Sequence, residues 1–492
     1  LRSEVIGGTG TAHDLRLGCL LISAPQGHSG KTTVTVGLCY GLRQRGLSIQ
    51  PFKKGPDYID PSWLSLATGR HCRNLDLFLI PKDKLINSFR RACRGADMAI
   101  IEGAMGLYDG MDSVDHGTTA EMARLLDAPV LLVVNTVRMT GSVAAMISGY
   151  QHFQQDTRVA GVVLNHVSGS RHERKLREAV EQHCGIPVVG SIPKDEGLRI
   201  EERHLGLIPS LESDEAESSV ERIGKKISSC FDLDRILVIA QSSTVAQRFP
   251  VDGEEGEDRL SSRTGDAKRT RDGQVERVRV GVFRDQAFNF YYPENVEALE
   301  DAGAEILLIN SFKDRLPGVD GLYIGGGFPE FFLEELEKNQ TLRKDIADAV
   351  EAGLPVYAEC AGLMYLCRTI SWKGRSYEMV GVIPSDVELL KKPQGHGYVV
   401  AEVVNENPLF PVGLTLRGHE FHHSNLINSK DLHFVYRIQR GQGVSGNNDG
   451  VVYKNVFGSY VHLHSLGTPE WATGFVSLMR KEKVLRLREG NE

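Results

Sequence analysis

An apolar run of strand length, Cys19-Leu20-Leu21-Ile22, leads directly into Ala24-Pro25-Gln26-Gly27-His28-Ser29-Gly30-Lys31-Thr32-Thr33, and a helical pattern continues from Thr33 to Arg45. A glycine-bearing turn of this kind between strand and helix leaves few architectures open. Its N–H groups and the helix N-terminus form a cradle for phosphate oxygens. Gly27, His28, Ser29, Gly30 and Thr33 are placed for backbone contacts, Lys31 for the terminal phosphates of ATP, and Thr32 for Mg²⁺. Pro25 stands where the strict pattern has glycine. Bound ATP with Mg²⁺ is expected.

The rest of the first half repeats the strand-then-helix alternation. Met98–Ile101, Val130–Val134, Val159–Leu164 and Pro187–Val189 read as buried parallel strands, with Glu173 to His183 as an intervening helix. The fold class expected is α/β, beginning with a doubly wound P-loop-type ATP-binding domain over residues 16–245. Glu102 ends the Met98–Ile101 strand at the edge where such sheets bind ligands, and is a second candidate for Mg²⁺. The segment Lys53-Lys54-Gly55-Pro56-Asp57-Tyr58-Ile59-Asp60-Pro61, taken alone, reads as a stiffened surface loop.

A chain of 492 residues exceeds one core. Composition breaks between Asp252 and Arg277, where Gly253-Glu254-Glu255-Gly256-Glu257-Asp258 precedes Lys268-Arg269-Thr270-Arg271-Asp272-Gly273 with almost no apolar residue, and a flexible linker is expected over 246–277. A second α/β domain is expected over 278–485, from strands at Val278–Phe283, Glu305–Ile309, Gly321–Ile324 and Pro355–Ala358. After the last comes Tyr357-Ala358-Glu359-Cys360-Ala361-Gly362-Leu363-Met364, a nucleophile elbow. The turn is expected to expose the Cys360 sulfur near a helix N-terminus, favouring the thiolate. Gly325, Gly326 and Gly327 let backbone N–H groups approach a developing oxyanion. His462, in Gly458-Ser459-Tyr460-Val461-His462, is the candidate base, although His464 shares its strand face. The other seven cysteines read as inert core residues. ATP activation coupled to acyl transfer is the chemistry these motifs suggest.

Bulk properties exclude more than they add. The net charge of -7, with no basic patch interleaved with aromatics, argues against nucleic acid. No apolar run reaches membrane-spanning length. Eight cysteines without a CxxC pair suit a reducing cytoplasm.

With Arg73-Asn74-Leu75-Asp76, Gly117-Thr118-Thr119-Ala120 and Arg203-His204-Leu205-Gly206-Leu207 added, the ordered set of motifs resembles the cobyrinic acid a,c-diamide synthase family from about Leu17 to the chain end. The second half resembles class I glutamine amidotransferase domains. Those usually carry Gly before the elbow and Glu two residues after the histidine, where this chain has Ala358 and His464. The diamide synthase branch lacks that acid, which leaves open what orients His462.

The resemblance implies that glutamine is hydrolysed at Cys360, that ATP phosphorylates a substrate carboxylate in the first domain, and that ammonia displaces the phosphate. It implies a corrin or related tetrapyrrole acid amidated on its a and c acetates. Cobyrinate leads, with sirohydrochlorin, its nickel complex or sirohaem as alternatives suggested by Trp63 and Cys72. Asp57 becomes a metal candidate, and Tyr58, Asp60 and Asp109 candidates for substrate binding or positioning. A reading from another class is a nucleotide-switch ATPase whose second half is a degenerate scaffold.

Overall fold

The computed structural model describes residues 17–111, 116–198, 200–203, 206–249 and 277–489. Most of the expected linker, 250–276, and the histidine of Arg203-His204-Leu205 lie outside the described residues.

The first sheet has seven strands: β1 (Gly18–Ser23), β2 (Ile49–Lys54), β3 (Arg73–Leu75), β4 (Met98–Glu102), β5 (Val130–Asn135), β6 (Val159–Val167) and β7 (Val188–Pro193), in the order β3-β2-β4-β1-β5-β6-β7. Every neighbouring pair is parallel. All six residues of β1 are buried, because helices cover both faces of the sheet, so the strand reads as a continuous apolar run. Burying side chains such as Leu20, Leu21 and Ile22 contributes about 1.5–3 kcal/mol each. Helix α1 (Lys31–Gln44) leaves the β1 turn, and α2 (Ile59–Thr68) follows β2.

Strand β2 corrects an expectation. Ile49–Lys54 is buried at every position although it contains proline and two lysines. The charged segment from Lys53 is therefore no surface loop: its lysines end a strand and Ile59 to Pro61 open a helix. The lysines tolerate burial because each is paired, Lys53 with carboxylates and Lys54 with the Gly117 carbonyl.

The second sheet has ten strands. Its parallel part runs Ala304–Ile309, Val278–Phe283, Gly321–Ile324, Val356–Glu359, Val456–Ser459. The remainder, including Gly395–Val403, Thr415–His422 and the short pair His462–Leu463, is antiparallel and did not stand out in the sequence. The strand before Cys360 lies between the one leading to Gly325 and the one leading to Tyr460, so three motifs distant in sequence finish side by side at one sheet edge.

The domains meet across a polar and aromatic seam. Arg73 pairs with Glu294 (3.1 Å) and Glu297 (2.5 Å), and the Tyr398 hydroxyl donates to Asp76 (2.5 Å). Among the described residues, no helix is long and apolar enough to cross a membrane.

Candidate active sites

At the phosphate turn, Gly30 sits at φ 83°, where a β-carbon would also meet Asn165 Nδ2 at 2.5 Å. Asn165 in turn donates to the Ser29 carbonyl (3.0 Å), and Ser29 Oγ to that of Gln26 (2.9 Å). His28 is exposed at positive φ, while Gly27 and Thr33 are half-buried on the same turn. Lys31 Nζ donates to the Met105 carbonyl (2.7 Å), which draws the loop after β4 over the turn. Burial first, and the Lys53 ammonium second, hold the Lys31 pKa below its ordinary value. Asp109 accepts from the Gly106 N–H (2.8 Å), which ties it into the shape of that loop.

Lys53, given no role in the sequence, is the hub of the acidic cluster. Its Nζ lies 2.5 Å from Asp60 Oδ2, 2.7 Å from Glu102 Oε1 and 3.7 Å from Asp57 Oδ2. Burial works against its charge, but the three carboxylates prevail and its pKa rises well above the usual lysine value. Burial also opposes ionisation of Asp60, yet the Lys53 charge and hydrogen bond hold that carboxyl below its ordinary range. Asp57 goes the other way. Burial, then the Asp60 charge, push it up to about 7.

Thr32 Oγ1 donates to Glu102 Oε1 (2.9 Å), so this expected pair is assembled. Glu102 is fully buried and its Oε2 has no hydrogen-bond partner. A hydroxyl and an uncommitted carboxylate oxygen beside a phosphate turn suit a hard cation. Asp57 does not join them: its Oδ1 accepts from the N–H groups of Ile59 and Asp60 (2.8 and 3.1 Å) and starts α2. Among the described residues, no group of three or more His, Cys, Asp or Glu is arranged to hold a metal.

Tyr58 leaves this loop toward the second domain. Its ring stacks on Phe290 (5.0 Å) and packs against Tyr292 (4.7 Å), His462 (5.5 Å) and His419 (5.6 Å).

In the second domain the elbow is as strained as its sequence predicts. Cys360 has φ 50° and ψ -103°, and a β-carbon on Gly362 would meet the Ile324 carbonyl oxygen at 2.2 Å. The expectation of an exposed, thiolate-favouring sulfur is not met. Cys360 is buried, its Sγ pairs with the Phe421 carbonyl (3.8 Å), and the helix it precedes, Ala361–Leu366, is only six residues long. Burial first, then the Glu330 charge, push the thiol up to about 12. Cys184 and Cys230 are half-buried, so they are not the core residues expected.

The glycine loop divides its tasks. The Gly325 N–H donates to the Tyr291 hydroxyl (2.8 Å) and is committed there, against the oxyanion expectation. A β-carbon on Gly326 would meet His462 Cε1 at 2.6 Å and Nε2 at 3.2 Å, and one on Gly327 would meet the Ala287 carbonyl oxygen at 2.0 Å. The His462 ring thus lies directly on the glycine loop, and it stacks on His419 (4.9 Å). His464 faces elsewhere, packing on Tyr292 (4.5 Å) with Nε2 3.7 Å from Glu294. Burial, only partly opposed by Glu294, holds its pKa below the ordinary histidine value.

Known proteins match both halves. Residues 20–208 match the CobQ/CobB/MinD/ParA nucleotide binding domain, and residues 279–469 the CobB/CobQ-like glutamine amidotransferase domain. With the sites above, this pairing defines a glutamine-dependent amidating ligase. The chain is 44% identical to a cobyrinate a,c-diamide synthase of Magnetococcus marinus, covering 93% of this chain and 96% of that one. It is 40% identical to the enzyme of the same name from Methanosarcina barkeri (95% and 97% covered) and 39% identical to that of Archaeoglobus fulgidus (94% and 98%). The chain belongs to the cobyrinate a,c-diamide synthase family.

Proposed function

We propose that this chain amidates the a and c acetate carboxylates of cobyrinic acid, consuming ATP and glutamine. The observation that carries the coupling of the two chemistries is Tyr58: one loop supplies carboxylates beside the phosphate turn and an aromatic wall beside His462.

In the second domain, Cys360 Sγ attacks the glutamine carboxamide carbon while His462 takes the thiol proton. The proton returns to the departing nitrogen, which leaves as ammonia. Water then cleaves the thioester, releasing glutamate. The loop at Gly326 and Gly327 is the part of the wall that supports the oxyanion. In the first domain a substrate carboxylate oxygen attacks the γ-phosphorus of ATP, ADP leaves, and an acyl phosphate forms. Ammonia attacks its carbonyl carbon and phosphate departs, leaving the amide. Carboxylate alone is a poor electrophile, which is why ATP is required. Lys31 stabilises charge on the transferring group. Thr32 and Glu102 would hold Mg²⁺, whose chemistry when bound is neutralisation of phosphate charge. Lys53 keeps Asp60 ionised and Asp57 at the start of α2, which fixes the loop carrying Tyr58.

Trp63 and Cys72 are core side chains, with Trp63 Nε1 donating to the Ile208 carbonyl (2.8 Å), so neither favours another macrocycle by contact. The test is incubation with ATP, Mg²⁺ and glutamine against cobyrinate, sirohydrochlorin, its nickel complex and sirohaem, scored by mass spectrometry. Diamide from cobyrinate is expected. Conversion of another macrocycle alone overturns the substrate, and ATP turnover without amidation of any acid favours a nucleotide switch.

A further inference from the structure

His462 lacks the acid that amidotransferases of this fold usually carry two residues later, since that position is His464, which points at Glu294. Something else must fix the tautomer, because an imidazole can take the thiol proton at Nε2 only if Nδ1 bears the hydrogen. His462 Cε1 and Nε2 lie nearest the Gly326 position, and Nδ1, bonded to the other side of Cε1, belongs to the adjacent edge of the ring.

That edge faces a carboxylate. Glu359 Oε2 lies 3.4 Å from His462 Nδ1, with both side chains almost completely buried and His462 Nδ1 making no hydrogen bond of its own. Glu359 is itself held from three directions. The Tyr323 hydroxyl donates to Oε2 (3.1 Å), the Tyr357 hydroxyl to Oε1 (3.0 Å), and the Leu463 N–H to Oε1 (3.1 Å). All three are donors, which suits a group that accepts only. The segment after His462 is pinned in the same way: Asn295 Nδ2 donates to the Leu463 carbonyl (2.8 Å) and Asn295 Oδ1 accepts from the Ser465 N–H (2.7 Å).

We infer that Glu359, the residue immediately before the cysteine, is the positioning acid of this glutaminase: its carboxylate, 3.4 Å from His462 Nδ1, favours the tautomer with the hydrogen on Nδ1 and so leaves Nε2 to take the thiol proton. The missing acid has been replaced from the elbow strand. A glutamate in the four-residue strand Val356–Glu359, where every position is buried, needs a purpose of this kind. The inference rests on the reading of Cys360 and His462 as nucleophile and base.

The experiment uses full-length protein and four variants. Cys360→Ala and His462→Ala test the underlying reading, and loss of glutaminase activity in both is required of it. Glu359→Gln is expected to lower glutaminase kcat by about a hundredfold or more, with KM for glutamine and ammonia-dependent amidation unchanged. Glu359→Asp, which keeps the acceptor, is expected to recover part of the rate. Should Cys360→Ala be inactive while Glu359→Gln keeps kcat within about threefold of the parent, the inference falls and the reading survives. Should Cys360→Ala remain active, the reading itself falls. A second measurement needs no Glu359 variant: the ¹⁵N-histidine spectrum of the unsubstituted protein, with His462 assigned by its loss in His462→Ala. The hydrogen is expected on Nδ1, and a neutral ring bearing it on Nε2 overturns the assignment.

Discussion

The surroundings of Cys360 set its reactivity in the free protein. Its pKa is pushed from 9.0 up to about 12, chiefly by burial and next by the charge of Glu330. At about pH 8 a thiol at 9.0 is roughly one-tenth ionised, whereas one at about 12 is ionised to about one part in ten thousand. Alkylation follows the thiolate, so iodoacetamide should modify Cys360 about a thousandfold more slowly than an open reference thiol. The rate should climb about tenfold per pH unit until about pH 11. The assay is mass spectrometry of the peptide bearing Cys360, after timed exposure across pH, with Cys360→Ala as blank. Glu330→Gln removes the second cause and should raise the rate at fixed pH. A rate that levels off with an apparent pKa near 7 in the free protein would refute the burial argument, because it would mean that a thiolate is already present.

Other outcomes follow from the first domain and the seam. Lys31→Ala should abolish amidation with either glutamine or ammonium, because both routes need the activated carboxylate; an undiminished ammonium-supported rate would remove Lys31 from the phosphate site. Asp57, raised from 3.8 to about 7 by burial and Asp60, binds its proton more tightly folded than unfolded. Its contribution to stability is therefore present at low pH and is lost as pH rises through that window, so the fall in urea midpoint between about pH 5 and 7.5 should be smaller in Asp57→Asn. Arg73→Ala strands Glu294, which is 1% exposed at its side chain, and should cost about 3 kcal/mol or more in denaturant unfolding; a loss below about 1 kcal/mol would mean that the seam pair is slack.

What the sequence disclosed and what it hid have physical causes. Strands β1, β4, β5 and β6 were readable because a strand covered on both faces must be apolar throughout. Ile49–Lys54 was not, since its two lysines look solvated until Glu102, far along the chain, is known to neutralise one of them. The elbow strain followed from small residues around Cys360, but burial of the sulfur did not, because the Phe421 carbonyl comes from the antiparallel half of the sheet. Alternation along a strand could not tell the surroundings of His462 from those of His464, which differ through the Tyr292 and Glu294 contacts of the His464 ring and the Gly326 contact of the His462 ring. Glu359 had a signal of its own, a lone charge ending an apolar strand, as did Glu102.

The reach of Tyr58 across the seam bears on modularity. Phe290, Tyr292 and His419 are largely buried, and the ring that packs on them belongs to the other domain. A gene fragment encoding residues 277–489 alone would present that aromatic footprint bare, along with Glu294 and Glu297 shorn of Arg73. Such a patch invites self-association. The glutaminase is thus no detachable cassette for fusion to another synthetase: the partner would have to bring its own tyrosine to the same place.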